Sequence, residues 1–137
     1  MKYLLDTNVV SQRTKPQPHP QIAAWLSRTE EKDTFLSAIT IQEVRFGLED
    51  MDAGRKRDAI ERWLESYLLV SFRERILPVD AAVADECGRL MFRAKQRKHM
   101  ATLGDTLIAA TAIVHGLAVA TLNVKHFRSL GVELVEF

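Results

Sequence analysis

The chain carries a single cysteine, Cys87, among 137 residues. One thiol closes no internal disulfide, so the fold must hold by packing, and this usage suits a reducing compartment such as the cytoplasm. Long hydrophobic runs are also missing, and none approaches the roughly 20 residues that span a bilayer. Tyr3-Leu4-Leu5 is cut short by Asp6, which leaves no apolar stretch for a secretory signal. The expectation is a cytoplasmic protein with no membrane partner. Net charge is nearly absent: 19 Lys and Arg face 18 Asp and Glu. That balance excludes neither nucleic acid nor a protein partner, because the arrangement of charge matters more than its sum. No Cys/His spacing of a zinc site is present, nor any repeat, low-complexity tract or interdomain linker. At this length, residues 1–137 are expected to form one domain with one sizeable core.

What is present reads as strands alternating with helices. Tyr3-Leu4-Leu5 is a short buried strand stopped by Asp6-Thr7-Asn8, and Thr34-Phe35-Leu36-Ser37 is a second. Three prolines between Lys15 and Pro20 mark a loop, after which Ile22, Ala23, Trp25 and Leu26 suggest a short helix. Thr40 with Glu43 has capping-box spacing, and a helix through Val44, Phe46 and Leu48 is expected behind it. Gly54 marks a break. Ile60, Trp63, Leu64, Tyr67 and Leu68 form the stripe of an amphipathic helix, as do Val83, Ala84, Cys87, Leu90, Met91 and Ala94. Arg75 to Val79 is a third strand candidate, with Pro78 weakening it. Asp105 to His115 reads as a buried helix with Gly116 as its C-cap. Leu117 to Thr121 and Val132 to Val135 are the fourth and fifth strands. Such alternation indicates an α/β fold: a central, mostly parallel sheet of about five strands, covered by helices on both faces.

Three acids stand at element ends: Asp6 after the first strand, Glu43 in the helix after the second, and Asp105 opening the helix before the fourth. Ligands of open α/β sheets bind outside the carboxyl ends of the strands, so these acids are candidates to meet in one crevice. Clustered carboxylates repel, and a hard divalent cation removes that repulsion; Mg²⁺, with Mn²⁺ as a substitute, suits such oxygens. A metal in that position lowers the pKa of a water and stabilises charge on a phosphoryl oxygen. Each acid also has a purely structural reading. Asp6 suits an Asx-turn, Glu43 the reciprocal half of a capping box, and Asp105 a helix N-cap or first-turn acid.

The context of the three acids resembles the PIN-domain family, and within it the VapC- and FitB-like toxins. The opening Tyr3-Leu4-Leu5-Asp6-Thr7-Asn8-Val9-Val10-Ser11 is similar to the family's first motif, and Ser37 to Gly47 with Glu43 to its second. Gly104 to Ala112 with Asp105 resembles the third, and Ala120-Thr121-Leu122-Asn123-Val124-Lys125-His126-Phe127 the fourth. Asn123 stands where many relatives carry an Asp, which removes a charge from the quartet. The resemblance implies a three-layer PIN-like sandwich and a metal-dependent endoribonuclease, the toxin of a toxin–antitoxin pair. Its implied metal ligands are Asp6, Glu43 and Asp105, with Asn123 completing the catalytic set; Thr7 and Thr121 are read either as hydroxyls that orient the carboxylates or a water, or as strand-end hydrogen bonders. A metal-activated water would cut RNA to leave a 5′-phosphate and a 3′-hydroxyl. The implied partners are RNA, an antitoxin that blocks the site, a second copy of the chain, and DNA reached through the antitoxin.

Elsewhere, Arg93, Lys95, Arg97 and Lys98 make the densest basic stretch, read either as a track for RNA phosphates or as a solvated helix end. The four histidines, His19, His99, His115 and His126, are taken as structural or surface residues, since nothing pairs them with a nucleophile or ligand set. Trp25 and Trp63 lie on apolar stripes and are assigned to core or interface. Two rival functions remain. An aspartyl phosphatase would want a second acid two residues after Asp6, where Asn8 stands. A non-catalytic PIN-like subunit of a DNA-bound regulatory complex would be free to lose one of the three acids, and this chain has all of them.

Overall fold

The computed structural model describes residues 1–137. Four parallel strands form the central sheet: β1 (Tyr3–Leu5), β2 (Thr34–Ser37), β3 (Ile76–Leu77) and β4 (Ala118–Ala120), in the order β3-β2-β1-β4. Tyr3 lies beside Thr34 on one side and Ala118 on the other, which puts β1 at the centre. Helices α1 (Thr7–Val10), α2 (Pro20–Arg28), α3 (Ala38–Glu49), α4 (Arg55–Arg62), α5 (Leu69–Ser71), α6 (Ala81–Gln96), α7 (Leu103–His115) and α8 (Val124–Arg128) fill the connections. The stretch Trp63–Leu68 joins α4 to α5 as a π-helix.

The sheet separates two cores, because successive strand residues point to opposite faces. Leu4 and Val119 pack with Val83, Cys87, Leu90, Ile108 and Phe127 from α6, α7 and α8. Leu5 and Ala120 pack with Val9 of α1, Ile22 and Trp25 of α2, Val44 and Leu48 of α3, Leu64 of the π-helical stretch and Phe72 just past α5. The result is the expected three layers. Alanines at 109, 110 and 112, all fully buried, let α7 lie close against the sheet and α6.

The structure departs from the sequence reading at several points. The fifth strand is reduced to one parallel bridge, Val119 with Leu134, so the sheet has four strands and not about five. The third strand is only Ile76–Leu77, ending where Pro78 would remove a ladder donor. Thr40 is not a cap. Ser37 is, its hydroxyl accepting from the Ile39 N–H at 3.0 Å, which places Glu43 in the second turn of α3 and ends its capping-box reading. Thr102, not Asp105, caps α7, its hydroxyl accepting from the Asp105 N–H. Phe46, placed on the apolar stripe by periodicity, is 67% exposed while Val44 and Leu48 are buried. Gly116 closes α7 in the left-handed region at φ 67°, as its C-cap position requires. No helix is long and apolar enough to cross a membrane.

The two-core arrangement predicts a sharp contrast between two phenylalanines. Phe72 is fully buried, so Phe72→Ala is expected to cost about 3–5 kcal/mol in urea unfolding. Phe92 is 58% exposed, and Phe92→Ala should stay within about 0.5 kcal/mol of the parent.

Candidate active site

Asp6 follows the central strand and is only 4% exposed. It caps α1, one carboxylate oxygen accepting the Thr7 N–H at 2.8 Å. Its other oxygen accepts the Thr121 hydroxyl at 2.7 Å, across from the end of β4. Thr121 is itself fixed, since its oxygen accepts the Asn123 N–H at 2.9 Å. Two further bonds stitch the same strand ends: the Asp6 N–H donates to the Ala120 carbonyl, and the Leu122 N–H to Asn8 Oδ1. Asp6-Thr7-Asn8 and Thr121-Leu122-Asn123 thus form one reciprocal clasp. Asn8 is the member that sequence reasoning used only as a missing acid; the repeated Thr and Asn after two buried strands was the available signal.

Glu43 reaches the same place from α3. Its carboxylate accepts the Thr7 hydroxyl at 2.7 Å, so Thr7 serves Asp6 through its amide and Glu43 through its side chain. Gly104 lies beside it, where an added Cβ would stand 3.6 Å from Glu43 Oε2, so α7 brings its first turn close to α3. Asp105 follows in that turn, and its carboxylate lies 3.4 Å from His126 Nδ1 on α8. His126, dismissed with the other histidines, therefore faces a site acid; a separation of 21 residues carried no sequence signal for that.

Electrostatics ties the three acids together. Burial pushes the Asp6 carboxyl up to about 6, and the negative charges of Asp105 and Glu43 add to it, while the hydrogen bonds from Thr121 and Thr7 oppose the rise. Hard oxygen donors in mutual repulsion suit a divalent cation such as Mg²⁺. The fit is one of chemistry and placement: no three His, Cys, Asp or Glu side chains converge on one point as ligands do. Asn123 is exposed and begins α8 without a side-chain cap bond, outside the hydrogen-bonded clasp except through its amide.

The basic stretch lies along the end of α6 and just beyond it, leading into the loop before Thr102 and Asp105. Arg93, Lys95, Arg97 and Lys98 are all exposed. Arg97 donates to the Ser129 carbonyl at 3.2 Å and so braces α6 against the end of α8. Trp25 is core, packed edge-on against Tyr3 and Phe137. Trp63 is half-buried. Arg45 forms a surface cluster with Glu49, Glu61 and Glu65, away from the acids.

Comparison with known proteins follows the same outline. The PIN domain family model matches residues 3–132. The chain is 36% identical over 132 residues to the VapC ribonuclease Y4jK of Sinorhizobium fredii, covering 96% of this chain and 94% of that protein. It is 40% identical over 124 residues to Toxin FitB of Neisseria gonorrhoeae, covering 90% and 89%. Among solved structures, that of FitAcB from Neisseria gonorrhoeae superposes with a TM-score of 0.91 at 37% identity, covering 98% of this chain and 96% of that one. The structure of FitAB bound to an IR36 DNA fragment gives the same TM-score, 0.91, at 36% identity over 97% and 93%.

The buried acid sets a pH dependence of stability. Asp6 holds its proton to higher pH in the folded chain than in the unfolded one, so folding stability in metal-free buffer falls as pH rises from roughly 4 through 6. Asp6→Asn removes that cost. Chemical unfolding with chelator present should find the variant more stable than the parent at pH 8, by up to about 3 kcal/mol, and the two converging below pH ~4. A second expectation concerns the clasp. Thr121→Val removes the hydroxyl that favours ionised Asp6, and carboxyl-detected NMR titration should find the Asp6 midpoint moved above about 6.

Proposed function

The chain belongs to the PIN-domain family, and we propose on that footing that it is a Mg²⁺-dependent endoribonuclease, the toxin of a toxin–antitoxin pair. The observation that carries the reading is the linkage of Asp6 and Glu43 through Thr7, with Asp105 near enough to raise the Asp6 carboxyl by its charge. Relatives named VapC ribonuclease and Toxin FitB support it. Asp6, Glu43 and Asp105 would hold the ion, with Asn123 offering a neutral carbonyl oxygen beside them. Bound there, Mg²⁺ or Mn²⁺ supplies Lewis-acid stabilisation of phosphoryl charge and a water acidic enough to attack at neutral pH.

The protein's own share is positioning. Thr121 and the Thr7 amide favour the ionised form of Asp6, which an ion needs. Thr7 aims Glu43, and the cap at Thr102 sets the turn that carries Asp105. Arg93, Lys95, Arg97 and Lys98 would draw the RNA backbone toward acids that otherwise repel it. The proposed partners are an antitoxin that closes the site and, through it, DNA; solved complexes of FitAB with DNA and of VapBC supply the likeness. A homodimer is proposed from membership of the family alone.

Purified, antitoxin-free protein should cut total cellular RNA into discrete fragments with Mg²⁺ or Mn²⁺. Chelator, Asp6→Asn and Asp105→Asn should each abolish them. Thr7→Val and Thr121→Val should weaken metal binding by about 10–100-fold in calorimetry, as loss of a ligand's supporting hydrogen bond does. Folded protein that neither cuts RNA nor binds metal would leave the non-catalytic regulatory subunit as the reading.

A further inference from the structure

On the β4 side of the acids, a cavity of about 530 Å³ lies between α8, the C-terminal tail and the loop entering α2. Thr121, Leu122, Arg128, His19, Gln21 and Glu136 contribute to its walls. We propose that this cavity is a nucleotide subsite, receiving the base and one phosphate of the residue next to the cleaved bond in a single-stranded RNA. The proposal rests on the ribonuclease reading and adds where the sequence of the RNA is read.

Placement is the first support. Thr121 holds the Asp6 carboxylate and the Leu122 N–H holds Asn8, so the wall of the cavity is the same segment that anchors the acid. Thr121 is the residue that the cavity wall shares with the acid site, and Asp6, Glu43 and Asp105 lie outside the cavity's lining. Cavity and acid site both lie beyond the carboxyl ends of parallel strands, where α/β sheets take their ligands.

Chemistry is the second. His19 Nδ1 is buried with no hydrogen-bond partner, though the residue itself is pinned, its N–H donating to Gln12 Oε1 at 2.9 Å and Pro20 opening α2 behind it. A buried ring nitrogen without a partner is costly and asks for one. Gln21, exposed on the next turn of chain, both donates and accepts, and Glu136 accepts from an exocyclic amino group. Arg128 is exposed and joins none of the chain's salt bridges, leaving its guanidinium fork for a phosphate. The volume falls in the range of roughly 300–1,000 Å³ that small-molecule sites occupy. Apolar area from Leu122, Leu134 and Phe137 offers a surface for the base.

The test uses full-length protein and short single-stranded RNAs that vary one position on either side of the mapped cut. Two readouts run in parallel: cleavage with Mg²⁺, and binding by fluorescence anisotropy in chelator. The parent should prefer particular bases at one flanking position. His19→Ala and Gln21→Ala should each flatten that preference about tenfold, the worth of a lost base-edge contact, with kcat on the best substrate nearly kept. Arg128→Ala should raise KM and make the salt dependence of binding shallower by about 0.7 in log–log slope. Gln21 is exposed, so its variant folds even where His19→Ala does not. Cleavage with unaltered base preference in both variants overturns the subsite and leaves the ribonuclease standing. No cleavage by the parent, with binding preference that His19→Ala abolishes, overturns the ribonuclease and keeps a nucleotide site. Loss of antitoxin binding in Arg128→Ala, with base preference intact, assigns the cavity to the protein partner and overturns the proposal.

Discussion

The burial of one carboxylate organises this molecule. Asp6 sits at the end of the central strand with almost no access to water, an environment that disfavours its charge. What makes the position tolerable is a set of donors delivered by the fold: the Thr7 amide at the start of α1 and the Thr121 hydroxyl from the end of β4. The first donor is local, but the Thr121 hydroxyl reaches the acid only because β1 and β4 pair in register, Leu5 beside Ala120. The sheet and the site are therefore one construction.

The parallel arrangement explains why acids from distant segments share a place. Every strand runs the same way, so the chain leaves each at the same edge and enters a helix there. Glu43 arrives through α3 directly after β2, and Asp105 through the first turn of α7. Gly104, beside Asp105, marks how near the first turn of α7 comes to Glu43, 3.6 Å from an added Cβ. Repulsion among the three acids is then built in, in a chain whose overall charge is close to balanced.

Exposed cations stand on and just past α6 and on α8, the two helices packed against α7. Arg97 spends its hydrogen bond on bracing α6 to α8 through the Ser129 carbonyl, while Lys95, Lys98, Lys125 and Arg128 project into solvent. Arg45, by contrast, is absorbed in a cluster of three glutamates on the α3–α4 side.

How much of this was legible beforehand follows from which forces are local. The first, second and fourth strands and most helices were legible in the sequence by itself, because Tyr3-Leu4-Leu5, Thr34 to Ser37 and the apolar stripes of α6 and α7 carry their periodicity in consecutive residues. It also determined the acids as candidates, since the four motifs are short contiguous strings. Tertiary structure alone decided the caps, Ser37 over Thr40 for α3 and Thr102 over Asp105 for α7, because the residue that leaves the strand or loop in extended backbone takes the cap. It reduced the last strand to one bridge, exposed Phe46 on a helix whose stripe it seemed to join, and set His126 against Asp105. The clasp between Asp6-Thr7-Asn8 and Thr121-Leu122-Asn123 belongs to the same class: it spans more than 100 residues. Periodicity records which face of an element is dry, but only the packed sheet brings one element's end against another's, and hydrogen bonds depend on that meeting.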